Sequence, residues 1–110
     1  MIREQEIIME QLGGDRFLIA TGSHNLFGFD NTIRMSLRRN ISKANKLEIT
    51  YISDVDLYTM RFYEEIRPGF DNKKLTWQRG GIRLVREINH LQGNQLVETF
   101  SRTTGIRVRL

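Results

Sequence analysis

Hydrophobic and polar residues alternate most regularly in the middle of the chain, where they predict a half-buried β-sheet. In residues 32–39, 46–52 and 57–66 apolar and polar side chains mostly alternate, which is the period of a strand with one face in the core, although Ile52 breaks the pattern. The short polar connection 53–56 predicts that the second and third of these strands pair antiparallel. The side chains predicted to face the core are Ile33, Met35, Leu37, Leu47, Ile49, Tyr51, Tyr58, Met60 and Phe62.

Helices are predicted near both ends of the chain. Residues 3–12 are good helix formers with an apolar stripe, and Gly13-Gly14 supplies the left-handed residue that ends such a helix. A second helix is predicted from Gly93 or Asn94 to Thr103, with Gly105 as its stop. Ile106, Val108 and Leu110 are then expected on one side of the closing segment, opposite Arg107 and Arg109.

The remaining segments carry weaker patterns. The apolar run 17–21 predicts a buried strand, and 22–31, rich in Gly, Asn and Ser, predicts a loop or hairpin turn. Residues 68–81 are predicted as a loop containing a short strand at 75–77, with Trp77 filling a gap in the core. The segment 82–88 predicts the returning strand. Its predicted inward residues are Ile82, Leu84 and Ile88, and its outward residues are Arg83, Val85 and Glu87.

This order of elements predicts an α+β fold in a single domain spanning residues 1–110. We expect an antiparallel sheet of four or five strands whose apolar face is covered by the N-terminal and C-terminal helices, while its other face stays open. A chain of 110 residues has room for one core only.

Composition points to a cytoplasmic protein. Apolar residues make up 39% and charged residues 27% of the chain, as in ordinary globular domains. There is no cysteine, and the N-terminus lacks the basic-then-apolar order of a signal peptide. No apolar run approaches the roughly 18 residues that a membrane span needs. No membrane partner is therefore expected.

The net charge of +4 is unevenly distributed and suggests an anionic partner. Residues 31–47 hold five cations and no acid, and residues 101–110 hold three more cations and no acid. If the strands are neighbours, outward cations would form a basic stripe, and an exposed tyrosine among them could stack on unpaired bases. The predicted nucleic-acid-binding residues are Arg34, Arg38, Lys46, Arg61, Tyr63 and Arg83. The alternative is a solvated sheet face whose cations pair with Glu48, Glu65 and Glu87.

No catalytic or metal-binding constellation stands out. His24 and His90 could act as a general acid and base, but nothing in the sequence brings them together. The acids and histidines have no metal-ligand spacing, and Gly13-Gly14 follows a helix rather than a strand, unlike a phosphate-binding loop. The prediction is a protein that is not an enzyme and needs no cofactor.

Several short motifs resemble those of a family of small proteins of unassigned function from phages, prophages and related mobile elements in bacteria. The motifs are Glu10-Gln11-Leu12-Gly13-Gly14, Arg16-Phe17, Thr21-Gly22, Asn25, Leu57-Tyr58, Thr103-Thr104-Gly105 and Leu110. The resemblance implies a setting in the bacterial cytoplasm rather than a reaction. Proteins of such origin often bind nucleic acid or inhibit a host enzyme.

Three functional hypotheses follow from the sequence. The first is nucleic-acid binding without catalysis through the basic sheet face, with a preference for single strands. The second is a protein-binding inhibitor of a host defence enzyme or nuclease. The third is a structural or assembly protein that forms a homo-oligomer through an open sheet edge.

Overall fold

The structure is a computed structural model, and it describes residues 2–109. Within this range the chain forms three α-helices and seven β-strands. The helices are α1 (Arg3–Leu12), α2 (Asp15–Thr21) and α3 (Leu96–Thr104), and a single 3-10 turn, Gly93–Gln95, precedes α3. The strands are β1 (His24–Phe29), β2 (Thr32–Ser36), β3 (Lys46–Ile52), β4 (Leu57–Ile66), β5 (Gly69–Asp71), β6 (Thr76–Gln78) and β7 (Gly81–Leu91).

Five strands form one antiparallel sheet in the order β1-β2-β3-β4-β7, and β5 pairs with β6 in a separate hairpin. The α+β fold, the antiparallel sheet and the two terminal helices are confirmed. The predicted pairing of β3 with β4 is also confirmed, from Lys46 opposite Tyr63 to Ile52 opposite Leu57. Both α1 and α3 end at a glycine in the left-handed region, Gly13 and Gly105, as predicted.

The core lies between the helices and one face of the sheet, which we call the inner face. All nine side chains predicted to point inward from residues 32–39, 46–52 and 57–66 are buried. Ile8, Leu12 and Phe17 cover them from the N-terminal side, and the Phe17 ring meets the Phe100 ring edge-on with centroids 5.0 Å apart. Full burial of each such side chain stabilises the fold by roughly 1.5–3 kcal/mol.

The predicted strand at 17–21 is wrong, because these residues form the helix α2. Phe17 and Thr21 are buried one helical turn apart, whereas Ile19 is 81% exposed on the other side. The hydroxyl of Thr21 donates a hydrogen bond to the carbonyl of Phe17 at 2.8 Å. An apolar run of five residues fits a buried strand or a helix face equally well, so the pattern alone could not separate them.

The segment 22–31, predicted as a loop or hairpin turn, contains a hairpin turn at its end but is largely a strand. Residues 24–29 form β1, which pairs with β2 through a turn at Asp30-Asn31. Asn25 has a φ of 53° where the register with β2 shifts by one residue, which marks a β-bulge. The turn-forming residues of this segment therefore lie in the β-bulge at Asn25 and in the turn at Asp30-Asn31, and they do not form a loop.

A β-bulge in β7 changes the predicted sides of its residues. Phe62 and Tyr63 are consecutive on β4, but their partners on β7 are Arg86 and Leu84. Val85 is thus an extra residue, and the strand on its N-terminal side is shifted by one position.

Because of this bulge, the prediction of which side chains face the core is wrong for the first half of β7. Ile82 and Leu84 lie on the outer face of the sheet, the face opposite the helices, and both are exposed. Ile88, beyond the bulge, faces the core as predicted. Arg83 is correspondingly carried to the inner-face side, where it meets Glu64.

The predicted loop at 68–81 contains an ordered hairpin. Phe70 of β5 pairs with Trp77 of β6, and the predicted short strand at 75–77 corresponds to β6. The prediction that Trp77 fills the core is wrong, since its side chain is 81% exposed.

No helix among residues 2–109 is long and apolar enough to cross a bilayer. At the C-terminal end of this range Ile106 is buried and Arg107 and Arg109 are exposed. Leu110, which the sequence placed with Ile106, lies outside the described residues.

Candidate nucleic-acid interface

A row of four charged side chains crosses the outer face, one from each of β2, β3, β4 and β7. Arg34 lies opposite Glu48, Glu48 opposite Arg61, and Arg61 opposite Glu87, so the charges alternate in sign. Nε of Arg34 is 3.8 Å from the Glu48 carboxylate, and Nε of Arg61 is 3.3 Å from that of Glu87. Opposite charges facing each other across strands attract. The two arginines of this row, both predicted to bind nucleic acid, therefore already have a carboxylate partner.

Lys46 and Tyr63 lie in the next row of the outer face and are also engaged. Nζ of Lys46 donates a hydrogen bond to the Ser36 hydroxyl at 2.7 Å and lies 3.7 Å from the Glu65 carboxylate. The Tyr63 hydroxyl donates to Glu48 at 3.4 Å. Partial burial, together with the negative charge of Glu48, raises the pKa of Tyr63. Its ring is half-buried rather than presented as an open stacking surface.

Arg83 and Arg38 lie away from these rows. Arg83 donates two hydrogen bonds, at 3.1 and 2.9 Å, to one oxygen of Glu64. Arg38 follows the end of β2, is exposed, and forms no ion pair within residues 2–109.

The outer face therefore has the arrangement of the alternative interpretation, in which cations of the sheet pair with Glu48, Glu65 and Glu87. The structure does not bring the six predicted residues together as one stripe of unpaired charge. Of their five cations, Arg38 alone has no carboxylate partner among the described residues.

A projecting segment, residues 67–79, forms the most exposed part of the structure, and we call it the arm. It contains the β5–β6 hairpin and leaves the sheet where β4 ends, returning where β7 begins. Every residue of the arm except Gly69 and Asp71 is exposed. The Asp71 carboxylate accepts hydrogen bonds from the backbone amides of Lys73 and Lys74, at 2.9 and 3.2 Å, which shapes the tip of the hairpin.

Positive charge is concentrated on the arm. It contains four cations, Arg67, Lys73, Lys74 and Arg79, and one acid, Asp71, so most of the net charge of +4 lies within these 13 residues. None of the four cations forms an ion pair with any part of the chain that the structure describes. Unlike the sheet cations, they can approach an anion without displacing a carboxylate.

Two aromatic rings accompany these charges. Phe70 and Trp77 meet edge-on across the hairpin, with ring centroids 5.5 Å apart and an interplanar angle of 69°. The other exposed apolar side chain of the arm is Leu75, at the tip, with a backbone φ of 55°. A water-exposed tryptophan between unpaired cations is the composition of a surface that stacks on bases.

Sequence reasoning missed the arm, although one signal was visible. The stretch 67–79 has a clear excess of cations, and two of them, Lys73 and Lys74, lie in the middle of the predicted loop. Trp77 was assigned to the core because tryptophan is usually buried. A charge count in a window around the single tryptophan would have indicated this segment.

Groups that could catalyse a reaction are dispersed. His24 and His90 lie on β1 and β7, the two opposite edges of the sheet. Nδ1 of His24 contacts the Gly22 carbonyl at 3.1 Å, and His90 has a φ of 59° at a second irregularity in β7. Residues 2–109 contain no group of three or more acids, histidines or cysteines placed to hold a metal ion.

Fold and surface together define an α+β protein with a basic, aromatic β-hairpin arm. No family model, curated protein or solved structure matches the chain.

Proposed function

We propose that this protein binds single-stranded nucleic acid without catalysing a reaction, and that the arm is its main contact surface. The observation that carries the proposal is that the arm combines an exposed tryptophan with four cations that have no ion-pair partner among residues 2–109. Cations on this hairpin would contact phosphates, and Trp77 would stack on an unpaired base. Stacking of this kind requires an accessible base face, which single strands provide and duplexes do not.

Local charge balance favours the arm over the sheet face as the phosphate-binding surface. A phosphate approaching Arg34 or Arg61 would compete with Glu48 and Glu87, the carboxylates already beside these guanidinium groups. A phosphate approaching Lys46 would likewise compete with Glu65, and one approaching Arg83 would compete with Glu64. We therefore expect these four cations to contribute little to binding, and Tyr63 to contribute little stacking.

The phage or mobile-element origin implied by the sequence resemblance stays a prediction, as does a cytoplasmic location. A protein partner, such as a host enzyme to be inhibited, is the main competing class. The same arm could present Phe70, Leu75 and Trp77 to such a partner, and the test must separate the two.

The test is a fluorescence-anisotropy titration with labelled single-stranded DNA, single-stranded RNA and duplex DNA, at several salt concentrations. The variant Lys73→Gln/Lys74→Gln removes two arm cations. The control Arg3→Gln/Arg102→Gln removes the same formal charge from cations that already pair with carboxylates of their own helices. Loss of two phosphate contacts should reduce the slope of log affinity against log salt by roughly 1.4, about 0.7 per contact on single strands.

We expect tighter binding to single strands than to duplex, and a reduced salt slope for the arm variant but not for the control. Failure of the wild-type protein to bind any of these nucleic acids at low salt would overturn the proposal. Retention of a host protein on the immobilised chain after nuclease digestion, combined with that failure, would favour the inhibitor hypothesis.

A further inference from the structure

A second set of unpaired cations lies in the loop between β2 and β3. Arg38, Arg39 and Lys43 are all exposed, and none of them has a carboxylate within ion-pair distance among residues 2–109. We call residues 38–43 the basic loop. It contains no acidic residue.

Hydrogen bonds of Asn40 hold the basic loop in one shape. Its side-chain amide donates to the carbonyls of Arg38 and Ala44, each at 2.8 Å, and its oxygen accepts from the Ser42 amide at 3.0 Å. The Ser42 hydroxyl bonds to the same oxygen. The loop cations therefore project from a backbone that is already ordered, which lowers the entropy lost on binding.

Asn45 attaches this loop to the base of the arm. Its side chain donates a hydrogen bond to the Glu65 carbonyl at 2.9 Å and accepts one from the Glu65 backbone amide at 2.7 Å. The backbone amide of Asn45 donates to the Tyr63 carbonyl at 2.8 Å. Arg67, the first residue of the arm, is only two positions beyond Glu65. The basic loop is thus fixed beside the point where the arm leaves the sheet.

Two adjacent surface cavities lie beside the basic loop and the first residue of the arm. One, of about 460 Å³, is lined by Arg38, Arg39 and Lys43, and the other, of about 220 Å³, is lined by Arg67. Leu37 and Asn45 line both cavities, so the two cavities adjoin at these residues. The acids at their walls are Glu64, which Arg83 engages, and Glu65, which lies near Lys46.

The middle of the basic loop meets the C-terminal end of α3. The Ile41 amide donates to the Thr104 carbonyl at 3.2 Å, and a side chain at Gly105 would contact Ile41. The exposed Arg107 follows three residues after Thr104. Charge from the C-terminal segment therefore lies at the same end of the molecule as the loop.

We infer that the basic loop is a second phosphate-binding segment, and that one nucleic-acid strand runs from the arm across Arg67 onto Arg38, Arg39 and Lys43. This inference rests on the proposed function of the arm and extends it. The ligand class is a single strand long enough to leave the arm and reach the loop. Short strands occupy the arm alone and do not touch the loop.

The test compares two strand lengths. Oligonucleotides of about 4 and about 16 nucleotides represent the lower and upper site sizes of small single-strand-binding domains. Binding to each is measured for the wild type, for the loop variant Arg39→Gln/Lys43→Gln, and for the charge-matched control Arg3→Gln/Arg102→Gln. Arg38 is left in place because its side chain packs against Gly22. Circular dichroism and thermal unfolding check that each variant is folded.

The expected result is a loss of affinity on the order of tenfold for the long strand with the loop variant, and a salt slope reduced by roughly 1.4. The same variant should bind the short strand as the wild type does, and the control should bind both strands as the wild type does. Equal affinity of the loop variant and the wild type for the long strand would overturn the inference while leaving the arm proposal intact. An equal loss on both lengths would overturn it as well, because the loop would then belong to one short site. If the wild type binds neither strand, both proposals fail.

Discussion

The side chain of Gln5 occupies the space beside β1 that a side chain at position 28 would need. Gln5 on α1 is buried, and its Nε2 donates a hydrogen bond to the Asp30 carbonyl at 2.8 Å. A Cβ placed on Gly28 would lie only 2.6 Å from Gln5 Cδ. The glycine thus lets α1 hold the turn between β1 and β2 in place.

Gly28→Ala should therefore destabilise the protein through Gln5. The glutamine would have to move and give up this partly buried hydrogen bond, at a cost of roughly 1–3 kcal/mol. Urea unfolding measures this change in the free energy of unfolding.

A double-mutant cycle identifies the cause. In a Gln5→Ala background the same Gly28→Ala change should cost nothing or stabilise slightly, because alanine restricts the unfolded chain. Simple addition of the two single-variant effects would show that Gln5 is not the reason for the glycine.

The sequence predicted the central strands well because their pattern is local. Ile33, Leu47 and Met60 each belong to an unbroken period-2 alternation, and each is buried. In β7 the alternation gave a wrong prediction. The spacing of Ile82 and Ile88 is that of two residues on one face of a strand, but they lie on opposite faces. The intervening extra residue, Val85, is defined only by pairing with β4.

The candidate site was less predictable because it depends on strand register. Arg34 faces Glu48, and Arg61 faces Glu87, only when β2, β3, β4 and β7 take their actual alignment. No property of the single strands gives that alignment. The exposure of Trp77 could not be predicted from the sequence either, because the hairpin that carries it extends away from the core instead of packing on it.

Alkaline pH should destabilise the fold through Tyr58. Burial of its phenol raises the pKa of Tyr58 to about 12, with smaller contributions from the nearby Tyr51 and Asp56. In the unfolded chain a tyrosine ionises near pH 10, so above that pH the unfolded state loses its proton first. The free energy of unfolding then falls with rising pH, by up to about 1.4 kcal/mol per pH unit between the two pKa values.

The control for this titration is Tyr58→Phe, which keeps the ring but removes the ionisable group. Its unfolding free energy should fall less steeply between about pH 10 and pH 12 than that of the wild type. Parallel curves for the two proteins would show that Tyr58 ionises equally easily in both states. Tyr51 and Tyr63, whose pKa values are also raised, would account for the decline that remains in the variant.

Trp77 offers the most direct test of the arm, because it is the only tryptophan in the chain. With 81% of its side chain exposed, its fluorescence should be that of a solvated indole and should change little when the protein unfolds. Addition of a single-stranded oligonucleotide should quench this emission if a base stacks on the ring. Emission typical of a buried indole would show instead that the hairpin packs against another surface.

Replacing this tryptophan should then reduce binding without weakening the fold. Stacking on an aromatic side chain contributes about 1–3 kcal/mol per base, so Trp77→Ala should lower affinity for single strands by roughly 5-fold to 150-fold. Trp77→Phe retains a ring that can stack and should lose less. The thermal midpoint of both variants should match that of the wild type, because the indole covers little of the core. A Trp77→Ala variant that binds single strands as tightly as the wild type would rule out stacking as the role of this ring, and phosphate contacts of the neighbouring cations would have to carry the affinity alone.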